Sequence, residues 1–147
     1  MIPDFNVDGL LPEGIHEAFW NEIAPRFGRS AHRGRLVLGL KSGLEALHNA
    51  GCPRVYIDGS FVTAKEVPSD FDCCYEVAGI DPTRLDPVFF DFSFRRAAQK
   101  ARFLGEFFPA HWPASVTGEV YLDYFQNDLD SGGRKGIVAI DLRRWNL

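Results

Sequence analysis

The sequence contains no apolar run close to the roughly 20 residues that a membrane-spanning helix requires. Its first residues, MIPDFNVDGLLPEG, lack the basic start and the long apolar segment of a secretory signal peptide. Cysteine is scarce: Cys52, Cys73 and Cys74 form no CxxC pair and lie near no histidine at the spacing of metal ligands. These absences predict a cytoplasmic protein with reduced, buried cysteines and no membrane contact.

Positive charge is also in short supply, because 16 lysines and arginines stand against 20 aspartates and glutamates, a net charge of −4. Extended binding of duplex DNA depends on clustered cations that neutralise phosphates, so a broad DNA-binding groove is not expected. Two local basic clusters remain, RFGRSAHRGR from Arg26 to Arg35 and RRAAQKAR from Arg95 to Arg102. Such clusters are typical of solvated helix faces, and a short RNA end could bind to one of them.

The sequence is rich in material for a core, since 46% of its 147 residues are hydrophobic and 14% are aromatic. This size and composition predict a single domain over residues 1–147. Residues 1–14 contain several prolines and glycines, which indicates an extended N-terminal arm. The arm is expected to pack on the domain through its apolar residues, Phe5, Leu10 and Leu11.

Hydrophobic periodicity predicts helices within 16–27, from Ser30 to Ala50 and over 92–108, and strands at 54–58, 70–77, 119–128 and 136–143. In the longest helix Ser30 is available as N-cap, and Gly51 follows the last turn. A short glycine-rich link joins the last two strands and favours an antiparallel hairpin. This order lacks the regular alternation of strand and helix. It predicts an α+β fold whose mixed β-sheet carries its helices mainly on one face.

The segment GSFVTAKEVPSDFD, from Gly59 to Asp72, holds the residues best suited to a chemical role. Asp70 and Asp72 stand two positions apart on a predicted strand, so their side chains share one face with backbones roughly 7 Å apart. Two carboxylates held that close repel each other unless one is protonated or a cation lies between them. Mg²⁺ or Mn²⁺ with a substrate triphosphate would suit such a pair. Gly59 and Ser60 could donate N–H groups and a hydroxyl to phosphate oxygens.

A strand that ends in Gly-Ser, a gap of about ten residues and then Ser-Asp-apolar-Asp resembles the signature of the polymerase-β-like nucleotidyltransferase superfamily. The matching residues are Gly59, Ser60, Asp70 and Asp72, with Ser69 directly before the first aspartate. The segments GCPRVYIDGSFVT, AAQKARFLGEFFPA and KGIVAIDL are also similar to an uncharacterised family of bacterial and phage proteins assigned to this fold. That second likeness carries no activity with it. The first one implies a nucleotidyltransferase-like fold.

The superfamily resemblance also implies roles for individual residues. Asp70 and Asp72 would bind the metal ions, and Ser60 would bind the outgoing β- and γ-phosphates. Thr63 and Lys65 lie in the linker between the two halves of the motif. They could contact the triphosphate, or they could be ordinary turn residues.

A third carboxylate usually joins the pair from a later strand in members of this superfamily. Asp123 is the first choice, because it is an acidic residue inside the apolar segment EVYLDYFQ, where burial of a charge needs a reason. Asp141 in IVAIDL follows by the same logic, and Glu76 shares the predicted strand face of Asp70 and Asp72. By the resemblance, the third carboxylate would complete the site for one metal ion and help to activate the acceptor hydroxyl.

The implied activity is the transfer of a nucleoside monophosphate from an NTP to a hydroxyl of a protein or of an RNA end. Minimal members of the superfamily often work in toxin–antitoxin or phage-defence pairs, so a protein partner such as a toxin is a further expectation by analogy. A competing hypothesis is a nucleotidyltransferase fold that has lost turnover and acts as a binding module or antitoxin. The short chain without an obvious second domain favours this alternative. The intact motif opposes it.

The segment from Gly59 to Asp72 also has a purely structural interpretation. Ser69 and Asp70 would cap a turn, and Asp72 would pair with an arginine such as Arg54. This interpretation leaves unexplained two carboxylates that face one way beside a Gly-Ser turn. Which later carboxylate joins Asp70 and Asp72 depends on strand order, which local patterns do not determine.

Overall fold

A computed structural model describes residues 1–116 and 118–145, which contain five strands and four α-helices. In chain order these are β1 Ile15–Ala18, α1 Ile23–Phe27, α2 Ala31–Asn49, β2 Arg54–Asp58, β3 Phe71–Tyr75, α3 Ser93–Phe103, β4 Gly105–Pro109, α4 Tyr121–Tyr124 and β5 Ile137–Asp141. None of the helices in the described ranges combines the length and the apolarity that crossing a bilayer requires.

The strands form one mixed sheet in the order β1-β5-β2-β3-β4. β1 is parallel to β5 and β3 is parallel to β4, whereas β2 is antiparallel to both of its neighbours. One face of the sheet packs on buried residues of α1, α2 and α3, and the opposite face packs on partly buried residues of α4. The prediction of an α+β fold with a mixed sheet is therefore confirmed.

Helix α2 forms where the sequence predicts it. Four leucines on one side of the helix are at most 2% exposed and pack on the sheet: Leu36, Leu40, Leu44 and Leu47. The Ser30 hydroxyl accepts a hydrogen bond from the backbone N–H of Arg33 at 3.1 Å, and Gly51 takes a left-handed φ of +98° just beyond the helix end. The three cysteines are buried and free, as predicted. The N-terminal arm packs on the core through Phe5 and Leu11.

Contact between α2 and the end of α3 depends on a glycine. A Cβ atom at Gly39 would overlap the backbone carbonyl of Phe103. We expect Gly39→Ala to lower the free energy of unfolding by at least about 2 kcal/mol, since two backbones would have to separate. Gly34→Ala, on the same helix with no atom within 4 Å of the added methyl group, should raise it by up to about 1 kcal/mol. Urea unfolding followed by circular dichroism measures both changes, and equal effects of the two substitutions would contradict this account.

The predicted strand over 119–128 is wrong, and the hairpin with β5 is wrong with it. Tyr121–Tyr124 is a short helix, in which the N–H of Tyr124 donates to the carbonyl of Val120 at 2.9 Å. Tyr121 and Phe125, about one helical turn apart, pack together on Phe108 of the sheet. β5 instead lies between β1 and β2 and is covered on both faces.

The predicted helix over 92–108 is too long at both ends. Phe94, Arg95 and Arg96 have left-handed φ angles of 51° to 59°, so the right-handed helix begins after them. It ends where Leu104 takes a φ of +65°, and the chain then forms edge strand β4. The region 16–27 was likewise predicted to be helical, but its first residues form β1 beside β5. In both places pairing with a distant strand overrides local helix propensity.

Candidate active site

Three acidic residues lie side by side on neighbouring strands. The strand register pairs Asp58 of β2 with Asp72 of β3, and Asp72 with Glu106 of β4. Adjacent strands are about 4.8 Å apart, and residues paired in this way project on the same face of a sheet. The face is the one opposite α2, because the Cys74 thiol, which belongs to the cluster packed on α4, contacts the Asp58 carboxylate. We call Asp58, Asp72 and Glu106 the carboxylate row.

Asp58 is the most buried member of the row, with no exposed surface. Its Oδ2 accepts a weak hydrogen bond from the Cys74 thiol at 3.6 Å, and its Oδ1 has no hydrogen-bond partner within the described part of the chain. Burial, and then the charge of Asp72, raises the pKa of Asp58 well above its ordinary value. The sequence analysis missed this residue, although it directly precedes Gly59.

Asp70 and Asp72 lie close enough for their charges to interact. Burial raises the pKa of Asp72 to about 7, and the charges of Asp70 and Glu106 add to this effect. Burial also raises the pKa of Asp70, against the opposing charges of Lys100 and Lys65. The two aspartates and Glu106 therefore create a region of negative charge that the protein compensates only in part.

The Gly59-Ser60 turn lies directly against this negative region. Gly59 has a φ of +81°, and a Cβ atom there would lie 2.6 Å from Oδ2 of Asp72. Glycine is therefore required both by the backbone conformation and by the close approach to the carboxylate. The turn and the two aspartates, which the linker separates along the chain, occupy the same end of the sheet.

The linker after the turn is held by backbone contacts. The Thr63 hydroxyl donates to the carbonyl of Ser60 at 2.7 Å and accepts from the N–H of Lys65 at 3.2 Å, so it serves the turn itself. The buried guanidinium of Arg33 donates to the carbonyls of Phe61, Thr63 and Lys65 at 2.6 to 2.8 Å. Arg33 thus fixes the linker while the Lys65 side chain stays exposed.

Three lysines surround the carboxylates. The charge of Lys135 acts on Asp58 and Asp72, and the charge of Lys65 acts on Asp70. Lys100 acts on Asp70 and Asp72 and forms an ion pair with Glu106, with Nζ 3.3 Å from Oε1. The site therefore combines clustered carboxylates with cations at its borders, an arrangement suited to a ligand that carries phosphates.

Two cavities adjoin the carboxylates. The turn cavity, of about 520 Å³, lies beside the Gly59-Ser60 turn and is lined by Asp8, Gly9, Leu10, Ser60, Thr63, Ala64, Lys65, Asp128, Asp130 and Lys135. The helix cavity, of about 470 Å³, lies among α2, α3 and the start of β3 and is lined by His32, Arg35, Leu36, Ser69, Asp70, Lys100 and Leu104. Both volumes fall within the range of small-molecule sites.

None of the three carboxylates proposed from the sequence as the third member lies in the row. Asp123 is exposed on α4, and no described contact joins it to Asp70 or Asp72. Asp141 lies at the far end of β5, roughly 13 Å along the strand from the position beside Asp58, and pairs with Arg143. Glu76 follows the far end of β3 and accepts a hydrogen bond from the Tyr56 hydroxyl at 2.7 Å.

The strand register puts Glu106 in the third place. An acidic residue inside the apolar segment GEFFP is the same signal that suggested Asp123, but that segment was assigned to a helix, which removed it from consideration. Arg54 is not available to pair with Asp72, contrary to the structural interpretation of the motif. Arg54 pairs with Glu17, and it lies at the opposite end of β2 from Gly59.

The donor set suits a hard divalent cation. Among the described residues no three acidic, histidine or cysteine side chains converge into a closed metal site. Mg²⁺, however, is usually bound by one or two carboxylates together with substrate phosphates and waters, so an open arrangement of oxygens is what it requires. The unpartnered Oδ1 of Asp58 and the raised pKa values indicate negative charge that a cation would offset.

A family model described as "Family of unknown function (DUF6932)" matches residues 3–141. This range extends from the N-terminal arm to the end of β5 and includes the whole carboxylate row. No curated protein and no solved structure matches the chain.

Proposed function

The chain belongs to the DUF6932 family of unknown function, and we propose that it is a metal-dependent nucleotidyltransferase with a nucleotidyltransferase-like fold. The reaction moves a nucleoside monophosphate from an NTP to a hydroxyl of an RNA or a protein. One observation carries the proposal: the left-handed Gly59-Ser60 turn lies against the Asp72 carboxylate, within a row that Glu106 continues. A phosphate-binding turn and clustered carboxylates are what nucleotidyl transfer asks of a protein.

Each residue of the site has a role in this reaction. Ser60 and the N–H groups of its turn bind the β- and γ-phosphates, and Lys65 and Lys135 add positive charge from the turn cavity. Asp70 and Asp72 are the residues that would hold Mg²⁺ or Mn²⁺, and Glu106 takes the third place in the site instead of Asp123. When bound, the metal supplies charge that neutralises the triphosphate.

The transfer itself needs an accepted proton and a leaving group. The acceptor oxygen attacks the α-phosphorus, the bond from that phosphorus to the bridging oxygen of the β-phosphate breaks, and pyrophosphate leaves. Glu106 takes the proton of the acceptor hydroxyl, and its Oε1 lies 3.3 Å from the Lys100 amine at the border of the site. Asp58 lies beside Asp72 on the neighbouring strand, is shielded from solvent and takes no direct part in the transfer.

The alternative is a nucleotide-binding module or antitoxin without turnover. The observation that favours it is the absence of a closed metal site among the described residues. A partner within a toxin–antitoxin or defence pair is compatible with either function, by analogy with minimal members of the superfamily.

Transfer of radioactive label tests the proposal. The protein is incubated with each α-labelled NTP, Mg²⁺ or Mn²⁺, and separate pools of cellular RNA and protein. We expect label in one pool, and a loss of at least about 100-fold in an Asp70→Ala/Asp72→Ala variant, because charge neutralisation at the phosphates is removed. This variant also loses a repulsion, so it should fold, and circular dichroism checks this. Equal transfer by the variant would overturn the site, and NTP binding without transfer would favour the binding module.

A further inference from the structure

The carboxylates separate two cavities that both carry cations. Asp70 lines the helix cavity, and Ser60 lines the turn cavity directly after Gly59, where an added Cβ would lie 2.6 Å from Oδ2 of Asp72. The two cavities therefore lie beside the same pair of aspartates. A transfer reaction needs such an arrangement, because donor and acceptor must meet at one point.

The turn cavity has the features of the donor side. Ser60 lines it beside the left-handed glycine, and the side-chain amines of Lys65 and Lys135 form no ion pair with the described residues. Asp8, Asp128 and Asp130 also line this cavity, and the charge of Lys135 acts on Asp128. Unpaired amines close to a glycine turn suit the triphosphate.

The helix cavity is also built for a ligand with an anionic group. Arg35 projects from the first turns of α2, and its guanidinium makes neither a hydrogen bond nor an ion pair within the described part of the chain. Lys100 also lines this cavity, and its Nζ lies 3.3 Å from Oε1 of Glu106. Leu36 and Leu104 add apolar surface to the lining. One planar guanidinium, one amine and an apolar wall match the phosphate and the ring system of a nucleotide.

We infer that the helix cavity binds the acceptor, and that the acceptor is a nucleotide: the terminal nucleotide of an RNA or a free nucleoside monophosphate. Its phosphate is bound by Arg35 and Lys100, and its ribose hydroxyl is presented to Asp70 and Glu106. This inference rests on the proposed function for the direction of transfer. The hydroxyl oxygen forms the new bond to the α-phosphorus of the NTP, pyrophosphate leaves, and the hydroxyl proton passes to Glu106 and then to solvent.

A protein hydroxyl would use this cavity poorly. A serine, threonine or tyrosine side chain has no phosphate for Arg35, and the positive charges of Arg35 and Lys100 would then lack an anionic partner in the complex. Asp70 lines the helix cavity, whereas Ser60 of the turn that would bind the leaving phosphates lines the turn cavity. Both features favour a phosphate-bearing acceptor.

Equilibrium binding tests the inference without requiring turnover. A six-nucleotide RNA with a 5′ fluorophore and a free 3′ hydroxyl is titrated with the full chain, and unlabelled AMP is added as a competitor. Arg35→Gln is compared with Lys41→Gln, which removes one charge from α2 outside the cavity, and with Lys65→Gln on the donor side. Binding of a fluorescent ATP analogue is measured in parallel.

Arg35→Gln should weaken RNA binding about tenfold and leave ATP binding within about twofold, since it removes a charge-assisted contact to a phosphate on one side only. Lys41→Gln should change neither, and Lys65→Gln should weaken ATP binding alone.

Competition by AMP would assign the cavity to a free nucleotide, and binding of RNA without such competition would assign it to an RNA end; both support the inference. RNA binding that Arg35→Gln leaves unchanged, or label transfer only to protein, would overturn it. If RNA binding depends on Arg35 while no NTP is consumed, the proposed function fails and the nucleotide site stands.

Discussion

Glu106→Gln is expected to lower the rate of nucleotide transfer at least about 100-fold, with a much smaller change in the affinity for NTP. Glutamine has nearly the same shape but cannot accept the proton of the acceptor hydroxyl, and it removes one negative charge from the carboxylate row. Glu106 is paired with Asp72 in the sheet. We therefore expect its substitution to have the strongest effect of any residue outside the segment from Gly59 to Asp72. Turnover with labelled NTP at saturating acceptor measures it.

The matched control is Asp123→Asn, because the sequence favoured Asp123 as the third carboxylate. Asp123 is exposed on α4 and contacts neither Asp70 nor Asp72 among the described residues, so its substitution should change the rate by less than about twofold. Glu106→Asp, which keeps the charge but shortens the side chain, should retain part of the activity. Loss of transfer in Asp123→Asn together with activity in Glu106→Gln would reverse the assignment of the third carboxylate.

The stability of the metal-free protein is expected to fall as pH rises from about 5 to about 8. The pKa of Asp72 is about 7 in the folded state, against about 3.9 in an unfolded chain, so the folded state binds the extra proton within this window. A pKa raised on folding contributes stability at low pH that is lost as pH rises through the folded value. For Asp72 alone the loss is on the order of 2 kcal/mol between pH 5 and pH 8. The pKa of Asp58 is also raised by burial, so Asp58 contributes to the same trend.

Divalent cations should reverse this loss. Binding of Mg²⁺ to the folded state stabilises it more at pH 8, where the carboxylates are charged, than at pH 5.5, where protons compete. Thermal unfolding with MgCl₂, against NaCl of equal ionic strength, measures the difference. Asp58→Asn should flatten the pH dependence and raise stability at pH 8, because a buried charge is removed. A transition that is independent of pH between 5.5 and 8 would contradict the prediction, and so would a Mg²⁺ effect that Asp70→Ala/Asp72→Ala retains.

The measurement window avoids the opposite trend at acid pH. Hydrogen bonds from neighbouring groups lower the pKa values of four other carboxyl groups, those of Asp81, Asp86, Asp128 and Asp141. Their contribution is present above pH 4 and is lost as pH falls below it. Because these groups are largely solvated, the effect is small, and it does not overlap the range from pH 5 to 8.

The elements that the sequence predicted correctly are those that local interactions define. Ser30 and Gly51 bound helix α2 through contacts within a few residues, and the β-branched and aromatic segment at 54–58 forms β2 with the predicted limits. The elements predicted wrongly are those in which a distant partner decides. The segment at 105–109 has helix-forming neighbours but becomes β4 because β3 offers it a parallel edge.

By itself the sequence determined which residues could do chemistry: a glycine turn and two aspartates in one short segment. The tertiary structure decided what surrounds them. It paired β2 with β3 so that the turn lies against Asp72, put Asp58 and Glu106 on either side of Asp72, left Asp123 and Asp141 elsewhere, and set one cavity beside Asp70 and another beside Ser60. The physical reason is that strand order follows from the burial of whole faces of the sheet. Neighbours across strands are therefore chosen by the entire core and not by the residues that precede or follow them.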